Sequence, residues 1–230
     1  MRQLLNTFFP TRCLLCDLNS DNGRQICIDC NDTLPVYQTG CKRCATLLEI
    51  KAPGMLCGDC LRQPPSFDKI LALFYYQAPI STFIWQLKFH HNLGVARLFA
   101  DDWIYFLRTF LMGSTLPDVI IPVPLHHERL KERGFNQALE IAKPIGKYFN
   151  IPVDTKTCIR IKNTRAQSSL PARKRKHNVN NAFGLSYTPT AKHIAIVDDV
   201  VTTGNTISEI SALFRKSGVS RIDVWCCARA

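Results

Sequence analysis

The sequence predicts an α/β body, a mostly parallel twisted sheet with flanking helices, preceded by a small N-terminal four-cysteine metal module. Three observations carry this. From residue 67 onward, apolar runs of strand length alternate with segments of helical period. Eight of the 11 cysteines form four C-x-x-C pairs within the first 60 residues. Consecutive prolines, Pro64 and Pro65, break both helix and ladder between the two regions. The chain therefore divides into residues 1–66 and 67–230.

The body is taken in order. Residues 70–76 (ILALFYY) read as a strand, and 80–89 (ISTFIWQLKF) carry apolar residues at helical spacing. Residues 94–111 form a long amphipathic helix, and 118–125 (DVIIPVPL) a continuous apolar strand. Residues 136–149 are helical, with Pro144 expected to kink the helix or open a turn. Residues 155–161 (TKTCIRI) and 193–201 (HIAIVDDVV) read as strands. A helix over 206–217 stops before Gly218, and 221–228 (RIDVWCCA) is the last strand. Outside the paired cysteines no internal repeat is visible.

Composition excludes several classes. At 46% hydrophobic and 20% charged, the chain is neither a low-hydropathy disordered tail nor a membrane protein. No apolar run is long enough for a membrane helix, and the start lacks a cleavable signal, so a cytoplasmic protein is expected. The net charge of +11 is uneven. Residues 121–180 hold 13 basic and 4 acidic groups, whereas 1–66 and 181–230 each sum to +1 and 67–120 to zero. That is a basic site facing phosphates rather than a basic body; a solvated charged loop is the bland alternative.

The cysteine pairs are Cys13/Cys16, Cys27/Cys30, Cys41/Cys44 and Cys57/Cys60. In order they make two zinc-ribbon-like cassettes, C-x2-C-x10-C-x2-C and C-x2-C-x12-C-x2-C. Two thiolates three positions apart turn onto one tetrahedral ion, and a second knuckle completes its shell. Asp17, Asn19, Asp21, Asn22 and Gly23 suit the intervening turn. Four thiolates also hold an iron–sulfur cluster, and C-x-x-C serves redox or disulfide chemistry elsewhere. A cross-braced pairing, first with third and second with fourth, fits the spacing too. Zinc, two ions in structural roles, is the favoured reading. Cys158, Cys226 and Cys227 lie in strand-like runs and read as buried small hydrophobes.

The chemistry concentrates in residues 193–206 (HIAIVDDVVTTGNT). A buried strand delivers Asp198 and Asp199 to its carboxyl end, where open α/β sheets bind ligands. Thr202, Thr203, Gly204, Asn205 and Thr206 then turn into a helix. Hydroxyls, a glycine and helix N-terminal N–H groups make a cradle for a monophosphate. Carboxylates do not face a phosphate, so they serve vicinal hydroxyls or hydrated Mg²⁺. Together these describe a ribose 5-phosphate ligand. A plain strand–turn–helix with solvated aspartates is the competing reading.

This stretch resembles the signature of type I phosphoribosyltransferases, which bind phosphoribosyl pyrophosphate (PRPP). With the cysteine pairs, residues 119–138 (VIIPVPLHHERLKERGFNQA), 85–89 (WQLKF) and 164–183 (TRAQSSLPARKRKHNVNNAF), the whole chain resembles the ComF/GntX family. The resemblance implies a double zinc ribbon followed by a type I phosphoribosyltransferase fold. It implies that Asp198 and Asp199 bind the ribose hydroxyls, that residues 202–206 bind the 5-phosphate, and that Arg129 and Arg133 lie near the pyrophosphate. The proline-rich run there makes a strained or cis peptide less costly. Lys88 is the weakest transfer, since a helix lysine also snorkels to solvent. Residues 164–180 would be the loop that closes over the site, where Leu170 also matches the family pattern, with Gln167, Arg173, Lys174, Arg175, Lys176 and Asn178 contacting pyrophosphate or DNA phosphates. His90, His91, His126 and His127 are expected at the surface.

If the chain is catalytic, Asp198, Asp199, Arg129 and Arg133 would support displacement of pyrophosphate from Mg²⁺-bound PRPP by a nitrogen nucleophile. The resemblance also implies a role in natural competence, with single-stranded DNA and competence-machinery proteins such as a ComFA-like helicase as partners. Two alternatives stand beside a PRPP-binding competence protein. One is an active transferase on an unidentified nucleobase or amine; the other is a zinc-ribbon adaptor with a vestigial site.

Overall fold

The computed structural model describes residues 11–20, 23–48, 54–110, 113, 115–162 and 181–230. Two one-turn helices belong to the cysteine-rich segment, α1 (Ile28–Asp32) and α2 (Gly58–Arg62). Then come β1 (Lys69–Tyr75), α3 (Ile80–Phe89), α4 (Leu93–Phe110) and β2 (Val119–Pro122). These are followed by α5 (His127–Arg133), α6 (Gln137–Phe149), β3 (Cys158–Arg160) and β4 (Phe183–Leu185). The chain closes with β5 (His193–Val201), α7 (Asn205–Lys216) and β6 (Arg221–Arg229). Among the described residues no helix is long and apolar enough to cross a membrane.

Four strands form one parallel sheet in the order β1-β6-β5-β2. Parallel strands are covered on both faces, so their sequences are apolar throughout rather than alternating. The period-2 pleat sorts the side chains. Ala195, Val197, Trp225 and Cys227 pack with Phe99 and Trp103 of α4 and with Ile141 and Ile145 of α6. Ile194, Ile196, Val224 and Cys226 pack with Ile207, Ile210 and Phe214 of α7 on the other face. Trp103 stacks on Trp225 at 5.6 Å between ring centroids and 25° between planes, joining α4 to the middle of the sheet. Cys158, Cys226 and Cys227 are buried free thiols, as the apolar runs around them predict.

Several expectations need correction. Residues 155–161 shorten to β3, which pairs antiparallel with β4 in a separate two-stranded sheet and takes no place in the parallel one. The run 118–125 ends as a strand at Pro122, with one further bond to β5 from the Val123 N–H to Val197 O at 2.9 Å. Helix α6 continues as one element through Pro144. Ile141, Ala142 and Ile145 bury the face spanning the proline, and that packing outweighs one missing backbone hydrogen bond. Residues 127–133, to which the apolar pattern assigns no element, form α5, closed by Gly134 at φ 70°. The cis peptide among the described residues is Ala78–Pro79, outside that segment.

The cysteine-rich segment covers the free edge of β1. Val36 bridges Phe74 antiparallel, Tyr37 N–H donates to Leu73 O at 2.8 Å, and Ile70 N–H donates to Arg43 O at 2.7 Å. An exposed strand edge is a pairing hazard, and this contact removes it. Cys13, Ile26 and Leu34 enter the same core as α4 and β6. The Arg24 guanidinium pairs with the Asp102 carboxylate of α4. Burial pushes Asp102 up to about 7, against the pull of Arg24.

Candidate functional site

Strand β5 is buried from His193 to Val197 and emerges at its carboxyl end with Asp198 and Asp199. Neighbouring strand residues point to opposite faces, so the two carboxylates diverge. Asp199 faces α3, where Lys88 Nζ meets its Oδ2 at 2.8 Å; the Asp199 side chain is 7% exposed. Asp198 lies on the other side, its Oδ1 accepting from the Asp199 N–H at 2.9 Å. Burial and the adjacent Asp199 charge push Asp198 up to about 7, despite the opposing pull of Lys88 and Arg160. Lys88, the weakest transfer in sequence, is thus brought against Asp199. Lys88→Met should lower stability by about 3 kcal/mol, because it leaves a buried carboxylate unpaired. Chemical denaturation reads this, and Lys88→Met/Asp199→Leu should recover most of the loss.

Past Val201 the chain turns through Thr202 and Thr203 into α7. Gly204 caps the helix at φ 75°, a left-handed conformation that a side chain would strain. No side chain caps α7. Among the described residues no backbone carbonyl takes the N–H of Thr203 or Gly204. Unsatisfied N–H groups at the positive end of a 12-residue helix attract an anion.

Three arginines share the field of the carboxylates. Arg133 ends α5 and is half-buried; its Nη1 donates to Gln137 Oε1 at 2.9 Å and its guanidinium lies 5.7 Å from the Phe89 ring centroid. Burial lowers the Arg133 pKa, Asp199 opposes that, and Arg129 adds to it. Arg160 of β3 lies over the Phe183 ring at 5.3 Å. Burial lowers its pKa too, Arg129 reinforcing and Asp198 opposing the shift. Arg160 was not singled out in sequence, because one arginine in a short strand has no spacing signal. The Arg-Gly-Phe-Asn-Gln run has a local cause. Gly134 ends α5, and Asn136 caps α6 by accepting from the Leu139 N–H while donating to Val123 O at 3.0 Å. That ties Arg133 to the end of β2. His126 departs from its expected surface place: it is 8% exposed and caps α5. His90, His91 and His127 are exposed as expected. Gln167, Leu170, Arg173, Lys174, Arg175, Lys176 and Asn178 lie outside the described residues.

The cysteine pairs combine sequentially. Cys13, Cys16, Cys27 and Cys30 form one group and Cys41, Cys44, Cys57 and Cys60 the other, ligand atoms all within 4.8 Å of one another. Cross-bracing is thereby overturned. Cys16 and Cys27 Sγ lie 3.8 Å apart and Cys44 and Cys57 Sγ 3.6 Å. About 3.8 Å is the edge of a tetrahedron with metal–sulfur bonds of about 2.3 Å, so each group fits one zinc ion. A four-iron cluster would hold its thiolates further apart. Burial works against the Cys13 and Cys41 thiolates, but donated backbone N–H groups hold both down to about 6. With four thiolates each, both sites are closed and structural.

Paired four-thiolate sites against a parallel sheet, with carboxylates and an open helix N-terminus at its carboxyl edge, define a zinc-ribbon protein carrying an α/β body. The family described as a double zinc ribbon domain matches residues 4–61. Competence protein F of Haemophilus influenzae is 36% identical over 97% of this chain and 99% of its own length. The chain belongs to the ComF/GntX family, that of competence protein F. DNA utilization protein YhgH of Escherichia coli strain K12 is 35% identical over 96% of this chain and 97% of its own. Competence protein ComFC of Streptococcus pneumoniae is 25% identical over 99% and 97%. Among solved structures, a purine phosphoribosyltransferase from Pyrococcus horikoshii is 20% identical, covering 57% of this chain and 73% of that one, with a TM-score of 0.33.

Proposed function

We propose that the carboxyl edge of the sheet binds PRPP together with Mg²⁺, and that the chain is a PRPP-binding, phosphoribosyltransferase-like protein that handles incoming single-stranded DNA in natural competence. Residues 67–230 form the PRPP-binding domain of this reading and residues 1–66 the double zinc ribbon. The observation that carries it is the pairing of two diverging carboxylates with the helix N-terminus after Gly204. The carboxylates accept from vicinal ribose hydroxyls, and the N–H groups and hydroxyls of residues 202–206 take the 5-phosphate. Arg129 and Arg133 complement the pyrophosphate, with Arg173 to Lys176 as further phosphate or DNA contacts. Mg²⁺ would neutralise pyrophosphate charge beside the acidic pair. The names of the relatives, competence and DNA utilization, support the cellular role.

Calorimetry with PRPP and Mg²⁺ tests this directly, and no heat of binding at millimolar PRPP would end the reading. Its pH dependence is a further prediction. With a pKa of about 7, Asp198 is about one-tenth ionised at pH 6 and almost fully ionised at pH 8. Acceptance from ribose hydroxyls needs the carboxylate, so PRPP should bind about tenfold more tightly at pH 8 than at pH 6. In Lys88→Met the midpoint should move to higher pH, since that cation lowers the Asp198 pKa.

A second reading, phosphoribosyl transfer to an acceptor, is favoured by exposed rings beside the arginines. Trp85 and Phe89 of α3 are 52% and 57% exposed, and Arg133 lies over Phe89. Such rings suit stacking on a planar acceptor. Attack of its nitrogen on the anomeric carbon would form the C–N bond and break the C–O bond to pyrophosphate, which keeps the electron pair and takes up the proton the nitrogen loses, its charge met by Arg129 and Arg133. Pyrophosphate release from PRPP, screened across bases, amines and DNA ends, separates transferase from binder. The pure adaptor reading is disfavoured because it gives no role to an acidic pair set beside an uncapped helix N-terminus, and folding alone does not require both.

A further inference from the structure

Arg229 is the last residue of β6, in register with Val201 on one side and Tyr75 on the other, and is only 6% exposed. Its guanidinium joins two parts of the molecule far apart in sequence. Toward the second cysteine cassette, Nε donates to Cys44 O at 3.0 Å and Nη2 donates to Thr46 Oγ1 at 2.6 Å. Toward the ligand loop, Nη1 donates to Val201 O at 3.1 Å and also to Thr202 O. It further reaches Ala230 O. Thr46 Oγ1 lies 3.2 Å from Cys44 Sγ, a metal ligand of that cassette. Accepting from Arg229, the hydroxyl has its own proton left to donate to the thiolate.

The consequence follows from the planar trans peptide, whose carbonyl and following N–H point in opposite directions. Holding Val201 O and Thr202 O on the guanidinium turns the N–H groups of Thr202 and Thr203 away from it, into the turn before Gly204. The knuckle end of the relay is equally held. Tyr37 Oη donates to Ala45 O at 3.0 Å, Cys41 N–H to Thr46 O at 2.8 Å, and Ile70 N–H to Arg43 O at 2.7 Å. Gly40 permits this, since a Cβ there would lie 2.0 Å from Tyr37 Oη and 2.7 Å from Thr46 O. The first cassette docks on α4 through Arg24 instead.

We propose that Arg229 is a positioning residue for the anion cradle, and that the second four-cysteine site sets it through Cys44 O and Thr46 Oγ1. The phosphate-binding loop is thereby coupled to the second zinc ribbon and not to the first. The ligand side of this inference rests on PRPP binding as read above; the loop-ordering side does not.

The test uses the full chain with Thr46→Val, Thr46→Ser, Arg229→Lys and wild type. Three quantities are measured: zinc per chain, amide hydrogen exchange over residues 201–206, and calorimetric affinity for PRPP with Mg²⁺. Thr46→Val keeps every metal ligand, so two zinc ions should remain. Exchange in the loop should rise about tenfold and PRPP affinity fall about tenfold, as expected for one charge-assisted hydrogen bond. Thr46→Ser should restore both. Arg229→Lys should lose more, because an ammonium has three donors and no planar fork to span both partners. Wild-type exchange and affinity in Thr46→Val and Arg229→Lys would overturn the proposal. So would faster exchange with unchanged affinity, since the arginine would then only buttress the fold. Failure of wild type to bind PRPP would instead sink the PRPP reading, and the exchange comparison would still decide whether the relay orders the loop.

Discussion

Cys13→Ser should abolish one of two zinc sites and lower the thermal stability of the entire sheet, beyond the ribbon that carries it. Structural zinc contributes about 10–16 kcal/mol of apparent folding free energy, whereas whole domains are stable by about 5–15 kcal/mol. The loss cannot stay local, because Cys13, Ile26 and Leu34 share a core with Phe83, Phe99 and Trp225. Arg24 would also leave the buried Asp102 without its cation. Metal analysis should find one zinc ion per chain, and circular dichroism should show a much lower melting temperature for the α/β signal. One zinc with an unchanged melt would show that ribbon and body fold independently. Cys158→Ser is the matched control. It too is buried, yet it lies outside both metal groups and should retain two zinc ions.

Asp198→Asn/Asp199→Asn should abolish PRPP binding while leaving the fold intact. Each carboxylate removed costs charge-assisted hydrogen bonds of about 1.5–3 kcal/mol, so the pair amounts to about a hundredfold or more in affinity. Unchanged calorimetric affinity in the double variant would remove these residues from the site. Asp198→Asn alone carries a second, opposite expectation. Its folded-state pKa of about 7 lies above the ordinary carboxylate value, so the folded protein holds a proton that the unfolded chain releases. Stability contributed by that proton is present at low pH and is lost as pH rises through about 7. The asparagine, neutral throughout and able to accept from the Asp199 N–H as Asp198 does, should make the unliganded protein more stable at pH 8. Weaker binding with greater stability is the signature of a group kept for a ligand.

Legibility in sequence tracked the range of the interactions. Helix α3 lies where its apolar spacing places it, residues 80–89, and β5 spans residues 193–201 as the apolar residues on either side of Asp198 and Asp199 predict. Both are set by contacts near in sequence. Short elements were misread. Strand β3 has three residues and is defined by its partner β4, and α5 has a single aliphatic residue, Leu130, too few to give a helical period. Pro144 shows the converse, a strong local signal overruled by a buried face. At the candidate site, Asp198, Asp199 and residues 202–206 stand out in sequence because they are contiguous. Lys88, Arg160 and Arg229 reach it from three other elements, and nothing in their spacing joins them to β5.

The uneven charge of the chain now separates into two kinds of information. Residue types and short spacings were enough for the thiolate knuckles, the buried parallel strands and the acidic pair before a helix N-terminus, because a tetrahedral ion, a covered sheet and an anion cradle each impose a local pattern. Which knuckles share an ion, which cation meets Asp199, and which arginine joins a zinc ribbon to the carbonyls of Val201 and Thr202 were decided by folding. These contacts join residues up to 185 positions apart, as between Arg229 and Cys44. Distances of that kind are set when the sheet closes on its helices, and no local pattern encodes them.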